Sequence, residues 1–220
     1  MEIKPIATIH NGFAQKFGIP RQSGIVNTVS KIVFQKEYRN PDALRGLDGY
    51  SHLWLIWHFS LNDKDEWSPT VRPPRLGGNK RVGVFATRSP FRPNPLGLSC
   101  VRIQKIAQED DLGTVIYVLG ADLADGTPIY DIKPYLPYTD SQPDAIGGFA
   151  EEKLGYSLEV ELMCNTDIEP EKVALIKEII AGDPRPAYQS DPDRVYKMSI
   201  MGYEIEFTVC DNVARITGLR

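Results

Sequence analysis

The segment from Phe85 to Ser99, FATRSPFRPNPLGLS, concentrates anion-binding residues on a restricted backbone. Its three prolines fix φ at their own positions and keep the residues before them out of the helical region. We therefore predict a stiff, extended loop that presents Arg88 and Arg92, whose guanidinium groups bind carboxylate or phosphate through paired hydrogen bonds. Asn94 adds a donor and an acceptor, and Gly97 permits close backbone approach. A structural loop with paired arginines is the alternative, but this density of arginine and proline favours ligand binding.

A second candidate site lies between Ala121 and Tyr138. The chemistry of Asp125–Pro128, DGTP, predicts a turn that presents a carboxylate and a hydroxyl at the end of a strand. Asp131 falls in the strand that follows, between Tyr130 and Lys133, and a buried carboxylate there would need a partner or a ligand. Most turns with this sequence have no binding function, so the assignment of this segment as a site depends on the other candidate segments.

Two shorter segments carry further polar candidates. Pro20–Gln22 follows a loop containing glycine, and Trp57–Phe59 ends the most apolar segment of the chain. A single histidine in such a position, here His58, is more often a structural residue than a catalyst. The three histidines lack the spacing of metal ligands, and the three cysteines form no CxxC pair. We therefore predict no metal site. The cysteine usage fits a reducing cytoplasm.

The charge of the chain is unevenly distributed. The net charge is −4, yet the window from Trp67 to Gln108 contains eight basic residues and no Asp or Glu. The remaining 17 Lys and Arg face all 29 Asp and Glu, so the rest of the chain sums to −12. A local positive potential attracts a polyanion more effectively than the total charge would suggest. The alternative is a basic surface that pairs with acidic surface elsewhere in the molecule.

The pattern of short apolar segments predicts a mainly β protein. Strands are expected at Lys31–Gln35, Ser51–Phe59, Arg81–Ala86 and Thr114–Leu119, and around Val101 and Ile103, with glycine and proline between them. Many short strands without βαβ alternation indicate a small antiparallel β-barrel, and no GxGxxG motif follows a strand. A Rossmann-type nucleotide site is therefore disfavoured.

The polar, turn-rich segment Pro137–Phe149 predicts a domain boundary at residue 150. Residues 1–150 form the predicted barrel domain, and residues 151–220 form a small α+β domain. In the second domain, strands are expected from Tyr156 to Leu162 and in two or three later segments, with one helix at Glu169–Ala181. A unit of this size is close to the lower limit of independent stability, so we expect it to pack on the barrel or on a second subunit.

Four segments together resemble the TrmO/TsaA-like family of tRNA methyltransferases: Pro20–Gln22, Trp57–Phe59, Ala86–Ser99 and Asp125–Tyr135. The resemblance is close over residues 3 to 140, and the C-terminal part is similar to the extension of bacterial members. It implies a small all-β barrel that uses S-adenosylmethionine. It also implies methylation of N6 in threonylcarbamoyladenosine at position 37 of tRNA, in the anticodon loop, by a homodimer with the donor near the subunit interface.

The resemblance also implies which residues bind the donor. In this role Arg21 or Arg88 would suit the donor carboxylate, Phe59 and Leu98 the adenine, and Asp125 the ribose or amino group and the sulfonium charge. The implied donor-binding residues are Pro20, Arg21, Gln22, His58, Phe59, Arg88, Leu98, Asp125, Gly126, Thr127 and Pro128.

The proton of the methylated nitrogen needs an acceptor, and the sequence leaves three candidates open: Asp131, Tyr130 and His58. The threonyl carboxylate and the RNA phosphates would be natural partners for the basic window. The predicted substrate-binding residues are Arg92, Asn94, Arg72, Arg75 and Lys80.

Two other functions fit parts of this pattern. A non-catalytic RNA-binding barrel would use the basic window but would normally expose aromatic side chains for base stacking. A methyltransferase for a small metabolite would need no basic window. The N-terminus has no signal-peptide pattern, and no apolar segment is long enough to cross a membrane, so we predict a cytoplasmic protein.

Overall fold

A computed structural model describes residues 2–62, 66–73, 80–151, 155–185 and 191–220. The described chain is mainly β, as predicted, with strands in two separate sheets and a two-stranded hairpin. None of its described helices is long and apolar enough to span a membrane.

Six antiparallel strands from the first 134 residues form a closed barrel. They are β1 (Ala7–His10), β2 (Val29–Phe34), β3 (His52–His58), β6 (Leu96–Glu109), β7 (Gly113–Leu119) and β8 (Pro128–Pro134). Around the ring the order is β1-β2-β7-β6-β3-β8, and β1 pairs with β8 to close it. The predicted antiparallel barrel is thus confirmed.

The barrel core follows from the alternation of side chains along each strand. In β3, Leu53, Leu55 and Trp57 are buried, whereas the residues between them face outward. Ile9, Ile32, Ile116, Val118 and Ile129 fill the same core from the other strands. The aromatic density of the predicted strand Ser51–Phe59 is therefore shared between the core and the outer surface.

The hairpin of β4 (Thr70–Val71) and β5 (Val82–Gly83) projects between β3 and β6. The predicted strand Arg81–Ala86 was wrong in its second half, because Val84–Ala86 forms a 3-10 turn. The Val84 carbonyl accepts hydrogen bonds from the N–H and the hydroxyl of Thr87, at 3.1 and 2.8 Å. These hydrogen bonds within the turn take the place of the inter-strand hydrogen bonds that a strand would form.

The C-terminal sheet has the order β10-β11-β12-β9, with β9 parallel to β12 and the other pairs antiparallel. Its strands are β9 (Glu159–Leu162), β10 (Tyr196–Ile200), β11 (Tyr203–Cys210) and β12 (Val213–Leu219). Helix α2 (Pro170–Ala181) buries Ile176, Ile179 and Ile180 against this sheet, close to the predicted helix. A shorter helix, α1 (Pro137–Asp140), follows β8.

The connection between β1 and β2 joins the two sheets. Phe13 and Val26 from this connection are buried in the C-terminal core with Phe207 and Ile180. The Met201 N–H donates to the Gly12 carbonyl at 2.8 Å, an approach so close that a Cβ at Gly12 would lie 2.6 Å from the Met201 side chain. The C-terminal unit therefore packs on a barrel loop of its own chain.

Candidate active site

A cleft of about 510 Å³ opens beside the end of β3 and the start of β6. Four parts of the chain surround it: the β1–β2 connection, the residues after β3, the proline-rich loop with the start of β6, and the β7–β8 connection. The described residues that line it are Lys16, Ile19, Pro20, Arg21, Gln22, Trp57, Phe59, Ser60, Leu61, Asn62, Thr87, Arg88, Pro90, Arg92, Leu96, Gly97, Leu98, Asp122, Ala124 and Thr127.

The floor of the cleft is the indole of Trp57, which lies against the backbone of Gly97. A Cβ at Gly97 would lie 2.2 Å from the ring, so only glycine allows this contact. The indole N–H donates to the Ser99 hydroxyl at 2.9 Å, and the Phe59 ring packs on the indole with centroids 4.4 Å apart. The close approach predicted at Gly97 is therefore made by a side chain of the protein itself.

The Pro20–Gln22 segment and the proline-rich loop meet at one wall. The Arg88 guanidinium donates to the Gln22 side-chain oxygen, and the Gln22 amide donates to the Arg21 carbonyl at 2.6 Å. Arg21 donates in turn to the carbonyls of Asp183 and Arg185 in the loop after α2, the latter at 3.3 Å. The C-terminal unit thus helps to orient Arg21 in the wall of the cleft.

The loop that supports Arg21 is itself held by a buried ion pair. The Arg185 guanidinium contacts the Asp183 carboxylate at 2.7 Å, and the Tyr156 hydroxyl donates to the same carboxylate at 3.0 Å. Burial opposes ionisation of Asp183, but these two partners outweigh it and lower its pKa.

The expectation that the proline-rich loop is extended was wrong. The N–H groups of Ser89 and Phe91 donate to the hydroxyls of Thr87 and Ser89 at 3.2 and 3.3 Å, which folds the loop into successive turns. Arg92 donates to the Thr87 carbonyl at 3.3 Å. These local bonds bring Arg88 and Arg92 to the same cleft.

The DGTP turn reaches the cleft only through Thr127, whose hydroxyl shares a hydrogen bond of 2.8 Å with Ser60. Asp125 is turned away: its carboxylate accepts from the Asn11 N–H at 2.9 Å and lies 3.6 Å from His10. Gly126, at φ +75°, allows the turn. Asp125, Gly126 and Pro128 therefore do not line the cleft of this chain.

The three predicted proton acceptors lie on the outer face of the barrel. The alternation of β3 places His58 outward, where its ring meets that of Tyr130 at 6.4 Å between centroids. Asp131 is paired with Lys133 at 2.9 Å and accepts from the Ile132 N–H. None of the three lines the cleft within one chain.

The predicted substrate-binding residues are spread over the cleft and the hairpin. Arg92 lines the cleft, and Asn94 is exposed in the next turn of the loop. Arg72 and Lys80 are exposed on the hairpin, which is joined to the loop by the Ser68 N–H donating to the Phe91 carbonyl at 3.1 Å. Arg75 lies outside the described residues.

Asp122 is the charged acidic residue of the described cleft lining, and sequence reasoning did not single it out. It is partly buried between β7 and β8, and its Oδ1 accepts from the Ser99 hydroxyl at 2.5 Å. Burial raises the pKa of this carboxyl, although the Ser99 hydroxyl, backbone N–H groups and the Arg88 charge oppose the shift. The residue lies three positions before Asp125, within the segment 121–138 that the sequence singles out.

The cleft therefore combines charges of both signs. Its described lining includes four basic residues, Lys16, Arg21, Arg88 and Arg92, and a single carboxylate, Asp122. With aromatic rings beside them, the four basic residues suit a ligand that carries an anionic group and a flat apolar part. Among the described residues, no group of three or more His, Cys, Asp and Glu is placed to hold a metal ion.

Comparison with known proteins identifies the family. The model of the tRNA-methyltransferase O N-terminal domain matches residues 8–141, and that of the TrmO C-terminal domain matches residues 155–220. The chain belongs to the TrmO family. Its predicted resemblance to this family is therefore confirmed.

Relatives and solved structures agree with this assignment. The tRNA (adenine(37)-N6)-methyltransferase of Escherichia coli K12 is 40% identical, over 96% of this chain and 94% of its own. The enzyme of the same name from Eikenella corrodens is 48% identical, over 76% and 95%. The crystal structure of TrmO from Pseudomonas aeruginosa superposes with a TM-score of 0.78 at 27% identity, over 100% of this chain and 98% of that one. The predicted class, an S-adenosylmethionine-dependent tRNA (adenine-N6)-methyltransferase, is confirmed at the level of the family.

Replacing Gly97 tests the floor of the cleft. In Gly97→Ala the new Cβ must displace the Trp57 indole and break its bond to Ser99, at a cost of roughly 1–3 kcal/mol in the free energy of unfolding. Urea unfolding measures this change. Gly83→Ala is the matched control, because a Cβ there meets no atom within 4 Å and its φ is −57°. Equal stability of the two variants would contradict the assignment.

Proposed function

We propose that this protein transfers the methyl group of S-adenosylmethionine to N6 of threonylcarbamoyladenosine at position 37 of tRNA. The observation that carries the proposal is the cleft, where guanidinium groups, one carboxylate and two aromatic rings meet. The names of the relatives support the adenine at position 37 as the acceptor. The threonylcarbamoyl group is the finer part of the proposal, and it rests on the resemblance and on the arginines.

The residues of the cleft fit the donor. A cleft of about 510 Å³ is within the range of small-molecule sites, and the donor has an amino-acid part, a sulfonium, a ribose and an adenine. Arg21 or Arg88 would bind its carboxylate, and Phe59 with Leu98 would pack on its adenine. When bound, the donor supplies an electrophilic methyl group on a positively charged sulfur.

The other implied donor residues would act at the edge of this cleft. Thr127 would present its hydroxyl, while Asp125 and Gly126 hold the turn that carries it. His58 and Pro128 flank the same region from the outer face and the start of β8. We retain all of them as proposed donor-site residues, with Pro20 and Gln22 in the opposite wall.

The substrate would approach over the proline-rich loop and the hairpin. Arg92 in the cleft suits the threonyl carboxylate, and Arg72 and Lys80 on the hairpin suit RNA phosphates. Asn94 can donate and accept at the exposed turn between them. Holding both reactants in line can itself lower the activation free energy by about 7 kcal/mol or more.

We also propose a homodimer whose interface is the outer face of β3, β6 and β8. Ile56 is paired with Leu98 on one side and with Asp131 on the other, so their side chains share this face. Leu98 is 54% exposed and also lines the cleft, so the cleft borders the face. A second subunit there would cover the apolar residues and bring its own His58, Tyr130 and Asp131 near the donor. The cytoplasmic location stays a prediction.

The substrate assignment is tested with two forms of one tRNA. The purified protein should transfer labelled methyl groups from S-adenosylmethionine to threonylcarbamoylated tRNA, and at least tenfold more slowly to the unmodified transcript, because Arg92 then lacks its carboxylate partner. Equal rates on both would reject the threonylcarbamoyl group as a recognition element. No binding of S-adenosylmethionine in calorimetry would reject the methyltransferase itself.

The two loop arginines should have separable roles. Arg88→Ala is expected to weaken S-adenosylmethionine binding by roughly tenfold or more, the loss of a charged hydrogen bond. Arg92→Ala should leave donor affinity near the original value and lower methylation of tRNA instead. Calorimetry and single-turnover methylation measure the two effects. Arg45→Ala, an exposed arginine far from the loop in sequence, serves as control, and the opposite pattern would refute the assignment.

The molecular mass in solution tests whether the protein is a dimer. Light scattering should give twice the 24.7 kDa of the chain, about 49 kDa. Ile56→Glu places a carboxylate in the proposed interface and should yield monomers, because an unpaired charge is costly to bury. Val29→Glu is the control, since Val29 is 48% exposed on β2, away from this face. A monomeric parent protein, or a dimer in Ile56→Glu, would contradict the interface.

A further inference from the structure

Asp122 stands apart from the other groups of the cleft. It is the single carboxylate among the described lining residues, and it belongs to none of the motifs that carry the family resemblance. The predicted proton acceptors His58, Tyr130 and Asp131 lie on the outer face of the barrel instead. Among the described residues of one chain, Asp122 is therefore the carboxylate that lines the cleft.

Two neighbouring strands hold this carboxylate in place. The Trp57 N–H of β3 donates to the Ser99 hydroxyl of β6 at 2.9 Å, and that hydroxyl donates to Asp122 Oδ1 at 2.5 Å. Ser99 is fully buried, and Trp57 is 5% exposed. Because the indole can only donate, the hydroxyl proton of Ser99 must point at Asp122. The chain of bonds fixes the orientation of the carboxyl group of Asp122, which lines the cleft.

The surroundings keep the carboxylate ready to accept a proton. Burial raises the pKa of Asp122, and a higher pKa makes a carboxylate a better proton acceptor near neutral pH. The groups that face it from the packed elements oppose this shift: the Ser99 hydroxyl, the Ser23 backbone N–H and the charge of Arg88. The other charged residues in the described lining of the cleft, Lys16, Arg21 and Arg92, are all cationic.

We propose that Asp122 is the general base that accepts the N6 proton of the substrate adenine. The inference rests on the proposed function, since it needs an N–H group as the methyl acceptor. The N6–H bond breaks and its electron pair forms the N6–CH3 bond, while the S–CH3 pair stays on sulfur as a thioether. The proton goes to an oxygen of Asp122, which becomes a neutral carboxylic acid. Ser99 is a positioning residue, and Trp57 orients Ser99.

The first test replaces Asp122 by Asn, which keeps the shape and the acceptor oxygen for Ser99. Methylation of threonylcarbamoylated tRNA should fall about 100-fold or more, the usual contribution of a general base. The affinities for S-adenosylmethionine and for S-adenosylhomocysteine, measured by calorimetry, should both stay within about twofold of those of the parent protein. A twofold change corresponds to a free energy that is small compared with that of a lost hydrogen bond. Asp167→Asn, an exposed carboxylate in the C-terminal unit, is the matched control and should change neither quantity.

Thermal unfolding gives a measurement independent of activity. A carboxyl whose pKa is higher in the folded state than in the unfolded state stabilises the fold only while it is protonated, and this contribution is lost as pH rises through the folded-state pKa. At neutral pH the charge of Asp122 therefore costs stability. Asp122→Asn should have a Tm equal to or above that of the parent protein, so that its loss of methylation is not a loss of folding, and a lower Tm would contradict the raised pKa.

The second test uses Ser99 and the pH dependence of single-turnover methylation. Activity should fall on the acid side as pH drops through the pKa of Asp122, because the protonated acid cannot accept the N6 proton. Ser99→Ala removes a bond that lowers this pKa, so the acid limb should move to higher pH by about one unit. Ser99→Thr keeps the hydroxyl, so its acid limb should lie at the same pH as that of the parent protein. An acid limb that stays in place in Ser99→Ala would overturn the proposal.

The outcomes separate the inference from the proposed function. A parent protein that methylates threonylcarbamoylated tRNA while Asp122→Asn retains more than half its rate would refute the base and leave the function intact. A variant that loses affinity for S-adenosylmethionine but not for S-adenosylhomocysteine would make Asp122 a partner of the sulfonium charge, which also refutes the base. A parent protein without activity on this tRNA would refute the proposed function first.

Discussion

The contact between the Trp57 indole and the backbone of Gly97 is the constraint on which the site depends. It closes the barrel core at the end of β3, and the same ring is the floor of the cleft. The indole N–H fixes the Ser99 hydroxyl, which in turn fixes the Asp122 carboxylate. Because a packed core resists small displacements, a group held by it keeps its orientation without a ligand. The polar site is thus positioned by the apolar core beneath it.

Around this floor the guanidinium groups of Arg88 and Arg92 donate hydrogen bonds to neutral oxygens. Arg88 and Gln22 bond to each other, and Arg21 and Arg92 donate to backbone carbonyls. Carbonyls and amides orient the Arg88 and Arg92 guanidinium groups without removing their charge, so these two groups can still attract an anionic ligand. The carboxylates near the cleft are used differently: Asp125 caps the Asn11 N–H, and Asp183 pairs with Arg185 outside the lining.

The β1–β2 connection links the C-terminal unit to the barrel. Phe13 is buried in the C-terminal core, whereas Arg21, eight residues later, stands in the wall of the cleft and bonds to the loop after α2. A displacement of the C-terminal unit would therefore reach Arg21 directly. This gives the small domain a physical role in the site, which its composition and its strand pattern do not reveal.

The sequence by itself determined the mainly β class, most strand positions, helix α2, the family and the proline-rich loop with its arginines. These features depend on alternation, residue composition and motifs, which are local properties of the chain. It misjudged the end of the Arg81–Ala86 segment, where the Thr87 side chain captures the Val84 carbonyl. It also focused on Asp125 rather than on Asp122. Only the tertiary structure decided which carboxylate faces the cleft, because a turn orients its side chains through distant partners. Asp125 is held by Asn11, 114 residues earlier, and Asp122 by Ser99, 23 residues earlier.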